Sequence, residues 1–418
     1  MNVVIVGNGI AGNETAFTLR ALDENTGITI LSAEKFPEYD PCSLPYFLAG
    51  DVERESVFRK TREDYKNENI HLVLDHRVVS IDPDAKKIHT EKGKRIPYDK
   101  LVLAHGGSLV IPPIKGIEKK GILGFKQLEE ADRLARHRGR TAVVIGAGPI
   151  GVEVAEALKK KGYEVTIIEL LDWILSTLFD EPAGRRLEKA LKDSGVSVLT
   201  GEKVLKIEGN SRVTGVVTDR RQLPADTVVI ATGMVPGNAL AETAGIEVGM
   251  GIKVNEKMET RVEDIYACGD CVEIVDACTG EYGMYQLKHN AIEQARIVAR
   301  NILGEDAAYP GAYLFARAHF FDTHAATVGM TMGTVCNIGY AEIIERESGE
   351  SYLRVLLKDG KITGAQAIGT YADYIGLFLS AMWRQDDINL LRQDWEKICR
   401  PDSPYPWTHR KIGHLLGL

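Results

Sequence analysis

Cysteine is scarce in this 418-residue chain. There are six, and apart from Cys268 and Cys271 none stand at a short paired spacing. That excludes a disulfide scaffold, and with no second CxxC to complete a zinc set no metal site is expected. Positive charge is in deficit too: 51 Lys and Arg face 59 Asp and Glu, a net charge of −8. A nucleic-acid role is therefore not expected. No apolar run approaches the roughly 20 residues of a membrane helix. The first strand starts at Val3, which leaves no room for a signal peptide. Unpaired cysteines suit a reducing cytoplasm. No segment is of low complexity, and the length allows two or three domains with ample core.

What is present is glycine at a fixed spacing, twice. The chain opens MNVVIVGNGIAGNETAFTLRAL. Val3 to Val6 read as a buried strand. Gly7, Gly9 and Gly12 follow at GxGxxG spacing, with Ile10 and Ala11 between them, and lead into a helix. The first glycine makes the tight turn, the second admits a pyrophosphate, and the third lets helix pack on strand. Ile28 to Leu31 form the next strand, and Glu34 beyond it can accept a ribose hydroxyl. The second copy is TAVVIGAGPIGVEVAEALKKKGYEVTIIEL, with Gly146, Gly148 and Gly151 at the same spacing around Pro149 and Ile150. Glu169 ends its following strand, a position that suits the free ribose hydroxyl of NADH and disfavours the extra phosphate of NADPH. Two fingerprints mean two dinucleotides, and FAD with NAD(P)H is the economical pair.

Cys42 stands alone in EYDPCSLPYFLAG, with no second cysteine before Cys268. The segment after it reads as the start of a helix, with Pro45 tolerated in the first turn. A thiol placed there has a lowered pKa and is a nucleophile for disulfide exchange. Ser43 can bond the thiolate or an incoming sulfur, or equally the backbone as a helix-start serine.

These segments, with ETRVEDIYACGDC and the paired LVLAHGGSLVIPPIKG and VVIATGMVPG, resemble the FAD-dependent pyridine nucleotide-disulfide oxidoreductase superfamily. Within it the chain resembles the single-cysteine branch of coenzyme A disulfide reductases, NADH oxidases and NAD(P)H persulfide or polysulfide reductases. The resemblance covers nearly the whole chain. It implies an α/β fold with two Rossmann-like domains, for FAD and NAD(H), and an α+β C-terminal dimerisation domain. The implied boundaries are 1–113 and 239–309 for FAD, 114–238 for NAD(H) and 310–418 for dimerisation. It implies that Asp270, after Gly269, bonds the flavin ribityl chain, and that the helix from Lys288 aims its N-terminus at the flavin. Lys35, Cys42, Val78, Ala104, His105, Gly106 and Ala291 complete the implied FAD contacts. Glu153 and Gly233 join the second fingerprint at NAD(P)H. The segment in which Cys268 and Cys271 flank Gly269 and Asp270 is then flavin-binding, and those two thiols are packing residues.

The chain also departs from that branch. His105 replaces a threonine and reads as a packing or flavin-edge histidine. Pro149 replaces a tyrosine over the flavin, which suggests a less gated ring. Arg20 is followed by Ala21 where coenzyme A disulfide reductases carry adjacent basic residues. Arg20, Arg59, Lys60, Arg62 and Lys66 are the candidates to meet coenzyme A phosphates, or are a solvated face. The C-terminal segment ICRPDSPYPWTH lacks the usual tyrosine; Tyr405 is displaced, and Cys399 lies nearby. These features favour a homodimeric or higher FAD enzyme reducing persulfide or polysulfide through Cys42, with coenzyme A disulfide second. NADH oxidation by oxygen or peroxide, and electron transfer to a ferredoxin or rubredoxin, are the alternatives.

Overall fold

The computed structural model describes residues 1–335, 342–389 and 407–417. Two compact units emerge. The first comprises Met1–Val110, Lys126–Ala131 and Gly233–Tyr313; the second comprises Ile111–Phe125, Asp132–Thr232 and Leu314–Leu418.

The first unit is built on a five-stranded parallel sheet. Its order is Ile265–Ala267, Lys100–Leu103, Asn2–Val6, Gly27–Leu31, Ile70–Val73. The central strand Asn2–Val6 is β-branched and buried from Val3 onward. Such continuous apolar runs are what a parallel sheet needs, because both of its faces are covered. Helices Ile10–Leu22 and Lys288–Ile302 pack on each other and on this sheet in one hydrophobic core. A three-stranded antiparallel sheet, Val78–Asp82, Lys87–Thr90 and Arg95–Pro97, belongs to the same unit.

The second unit repeats the parallel plan in the order Ser197–Leu199, Glu164–Ile168, Thr141–Ile145, Thr227–Ile230, Ile122–Gly124. It also holds a five-stranded antiparallel sheet, in which Ser351–Lys358 and Lys361–Ile368 form the hairpin expected at the DGK turn. Both turn residues, Asp359 and Gly360, have positive φ (50° and 76°), the conformation that a tight two-residue hairpin turn requires. Helix Ile375–Arg384 and the C-terminal helix Trp407–Leu416 share this sheet's core. The α/β fold is as expected. The two units do not follow the three expected domains: Lys126–Ala131 and the residues from Gly233 lie with the first unit, and Leu314–Leu418 shares a unit with most of the expected NAD(H) segment. No helix among the described residues is long and apolar enough to cross a membrane.

Candidate functional site

The first glycine cradle forms where strand Asn2–Val6 ends. Gly7 has φ +118°, and a Cβ there would lie 2.2 Å from the Ala104 carbonyl oxygen. A Cβ on Gly12 would lie 2.0 Å from the Gly7 oxygen, whereas one on Gly9 would meet nothing within 4 Å. Gly7 and Gly12 are thus demanded by the protein's own packing. Gly9 is not, and it faces open space. Gly9 also N-caps helix Ile10–Leu22, which has no side-chain cap and no acid in its first turn. The free N–H groups of such a helix start are ready for a phosphate.

Around this cradle the first unit gathers buried polar groups. Tyr65 Oη donates to Asn13 Oδ1 at 2.8 Å and to Asn8 Oδ1 at 3.1 Å. Glu34 accepts from Tyr39 Oη at 2.8 Å, and that oxygen accepts from the Leu128 amide at 3.2 Å. Burial raises the Glu34 pKa, against the Tyr39 bond and the charge of Lys126. Asp270 is likewise raised by burial and pulled back by Lys126. Burial lowers Lys126 itself, against the pull of Asp270 and Glu34. Nothing in the sequence around Lys126 marks it; only the return of its short segment to the first unit brings it to this site. His105 Nε2 is buried without a hydrogen-bond partner among the described residues, and burial pushes this ring down to about 4, so it is neutral. Gly269, at φ +80°, lets Ala11 and Ala291 approach: its Cβ would lie 2.9 Å and 3.8 Å from theirs. Val78 is buried, and Lys35 pairs with Glu129 at 3.4 Å on the surface.

The second cradle repeats the geometry. A Cβ on Gly146 (φ +104°) would sit 2.3 Å from the Ala231 oxygen, and one on Gly151 would sit 2.1 Å from the Gly146 oxygen. Gly148 faces open space; Gly233, expected beside it, begins a segment of the first unit. Helix Pro149–Lys160 starts with Pro149 and Ile150, again without a side-chain cap or first-turn acid. Glu169 accepts from the amides of Ala147 at 2.6 Å and Leu171 at 2.9 Å. These bonds aim its carboxylate at the cradle and leave lone pairs for a ribose. Glu153 is pushed up to about 7 by burial, reinforced by Glu156.

Cys42 belongs to the first unit and is exposed. It sits in the turn Pro41–Ser43, ahead of the six-residue helix Leu44–Ala49 that Gly50 ends in a left-handed cap. The Cys42 amide donates to Asp40 Oδ1 at 3.1 Å, and the Ser43 amide to the Asp40 carbonyl at 3.0 Å. Ser43 caps the short helix without a side-chain bond to it. Lys288, at the start of its 15-residue helix, reaches Asp40 Oδ2 at 2.6 Å. Cys268 and Cys271 are fully buried; burial pushes Cys268 up to about 12 and Cys271 higher still, and the Cys271 thiol donates to the Leu103 and Cys268 carbonyls.

The sequence model of the pyridine nucleotide-disulphide oxidoreductases matches residues 1–295. The chain belongs to this family. A NADH oxidase of Methanocaldococcus jannaschii is 31% identical over 392 residues, 88% of each chain. A CoA-dependent NAD(P)H sulfur oxidoreductase of Pyrococcus abyssi is 32% identical over 346 residues, 81% of this chain and 77% of that one. The solved structure of a NAD-dependent persulfide reductase from A. fulgidus superposes with a TM-score of 0.91 at 31% identity, covering 99% of this chain and 83% of that one.

A pyridine nucleotide-disulphide oxidoreductase takes FAD and NAD(P)H, and the two cradles fit two dinucleotides: open glycines, uncapped helix starts and an acid beyond each second strand. The coenzyme A candidates divide. Arg20 is not a phosphate ligand here. Its guanidinium is buried and donates to the carbonyls of Asp23, Glu24, Thr26, Glu68 and Asn69. Arg59 pairs with Glu38 and Asp40 at 3.6 and 3.7 Å, and Lys60 with Glu38 at 3.8 Å. Arg62 and Lys66 are exposed and line an open groove of about 330 Å³ with His71, although Lys66 also pairs with Glu63 at 3.6 Å. Tyr405 and Cys399 lie outside the described residues.

Proposed function

We propose that this flavoprotein uses NAD(P)H to reduce sulfur–sulfur bonds, with persulfide or polysulfide as the acceptor and Cys42 as the reacting sulfur. One observation carries this reading: in the unit that holds the first cradle Cys42 is an exposed thiol, whereas Cys268 and Cys271 are buried and the other exposed thiol described there, Cys278, is pushed up to about 11 by desolvation and the charge of Asp276. Bound FAD supplies the two-electron relay from NADH. The Cys42 thiolate attacks the outer sulfur of a persulfide RSS⁻, breaking its S–S bond, expelling RS⁻ and leaving a Cys42 persulfide. Two electrons and one proton then return that persulfide to the thiolate and release HS⁻. The sum is RSS⁻ plus NADH giving RS⁻, HS⁻ and NAD⁺. Glu169, held by two amides, orients the NADH ribose. Four of the five basic candidates are internally paired or buried, which supports a small sulfur acceptor ahead of coenzyme A disulfide. We take the C-terminal antiparallel sheet and its helices as the homodimerisation domain.

A second reading, NADH oxidase, is favoured by the Methanocaldococcus relative and by Pro149 where the branch carries a gating tyrosine. The decisive measurement is anaerobic NADH oxidation with polysulfide, a low-molecular-weight persulfide or coenzyme A disulfide, in wild type and Cys42→Ser. Persulfide turnover should fall at least about 1,000-fold in the variant, because serine is not activated there as a nucleophile. Full turnover without the thiol sinks the mechanism. Turnover only in air makes the protein an oxidase, and turnover with none of these acceptors points to a protein carrier.

A further inference from the structure

The helix behind Cys42 is only six residues long, so its own dipole contributes little at this sulfur. A charged side chain, Asp40, stands two residues before the sulfur. Its carboxylate takes the Cys42 amide at 3.1 Å, its carbonyl takes the Ser43 amide at 3.0 Å, and its own amide is anchored to the Val57 carbonyl at 2.8 Å. This geometry has a cost, since a carboxylate two residues from a thiol opposes its ionisation. Lys288 lies against that same carboxylate at 2.6 Å, from 248 residues away, and both side chains are largely shielded, at 20% and 35% exposure. Lys288 opens the helix that packs against Ile10–Leu22, so the thiol's turn is tied to the core of the first cradle.

We propose that Asp40 and Lys288 are a positioning pair for Cys42: Asp40 holds the turn that presents the sulfur, and Lys288 cancels the negative charge this hold places beside it. The proposal rests on Cys42 being the reacting sulfur. The other charges facing Asp40 are Arg59, at 3.7 Å from Oδ2, and Glu38, which is itself paired with Arg59 and Lys60. None of these approaches as closely as Lys288.

The two partners act on the thiol in opposite directions, and that is what separates tuning from simple support. The experiment is iodoacetamide alkylation of Cys42 in the FAD-loaded oxidised protein across pH, read from the mass of the Cys42 peptide. Asp40→Asn keeps an amide acceptor and removes the charge; its alkylation midpoint should fall by about 0.5 to 1 pH unit. Lys288→Gln leaves the carboxylate uncompensated; its midpoint should rise by about as much. The double variant should return close to wild type. Midpoints that stay put, or move the same way in both single variants, overturn the proposal. Flavin absorbance confirms that each variant is loaded, and Lys288→Gln keeps the test open if Asp40→Asn folds poorly. Alkylation reads the sulfur whether or not any acceptor turns over. Opposed midpoints with no persulfide turnover would therefore reject the assigned reaction while leaving the pair in place.

Discussion

Gly7 and Gly146 do the same thing in two places. The amide of each donates to the carbonyl at the end of the next strand, that of Leu31 or Ile168, at 2.8 Å. Each crowds the carbonyl of a residue just past a third strand, Ala104 or Ala231. What surrounds them differs. The first cradle is furnished with side chains: Asn8, Asn13 and Tyr65 bonded together, Glu34 held by Tyr39, and Lys126, whose charge acts on both Glu34 and Asp270. The second is furnished chiefly by backbone, with Glu169 held by two amides and Leu170 and Leu171 63% and 50% exposed beside it. A buried polar network with a half-buried cation suits a ligand that stays. An open rim with a backbone-held acid suits one that enters and leaves each turnover. On the proposed function, the same backbone serves a resident cofactor in one unit and an exchanging cosubstrate in the other.

The strongest way to break this comparison is to close each cradle in turn. Gly12→Val and Gly151→Val put side chains about equally hard against a carbonyl, an overpacking of about 1–3 kcal/mol or more. Gly12→Val should yield colourless protein that has lost FAD. Gly151→Val should stay yellow after desalting, be reduced by dithionite, and lose reduction by NADH. A colourless Gly151 variant would mean that the two cradles are not separable in this way.

A smaller effect comes from pH. Each unit holds one carboxylate pushed up to about 7, chiefly by burial: Glu38 in the first and Glu153 in the second. With a raised pKa the folded protein binds the proton more tightly than the unfolded chain between the ordinary carboxylate value and about 7. The stability these groups contribute is therefore full at the acid end of that window and lost as pH rises through about 7. Urea midpoints should fall across pH 5 to 7 and level above. Glu38→Gln and Glu153→Gln should each flatten part of that slope. Only Glu153→Gln should also remove a pH dependence near 7 from the NADH reduction rate, as measured by stopped flow.

The smallest test concerns one hydroxyl. Tyr39→Phe removes the bridge between Glu34 and the Leu128 amide, and should cost about 1 kcal/mol in urea unfolding. FAD should be held more weakly while the KM for NADH stays unchanged.

Local signals were legible and long-range ones were not. Strand, glycine spacing and helix start are written within 15 residues, and so both cradles could be read directly, whereas the helix Lys288–Ile302 came only with the family resemblance. The DGK turn carried its hairpin for the same reason. Arg20 misled because a basic residue at a helix end looks solvated; only the loop at Asp23–Thr26 and the carbonyls of Glu68 and Asn69 engage it. Asp40 sits in plain view two residues from Cys42, yet its partner lies on a helix that sequence places in another context. Lys126 is the clearest case, since its neighbours in the chain belong to the other unit.

The path of the backbone at Lys126–Ala131 has a practical consequence for anyone wishing to take the molecule apart. The nucleotide-binding segment between residues 111 and 232 cannot be excised as one piece, because it would carry away a strip of its neighbour. Helix Leu128–Arg136 begins in one unit and ends in the other. Grafting this segment onto a relative, or expressing it alone, would strip Lys126 from beside Asp270. A functional chimera must therefore exchange the stretch in two parts, on either side of those six residues.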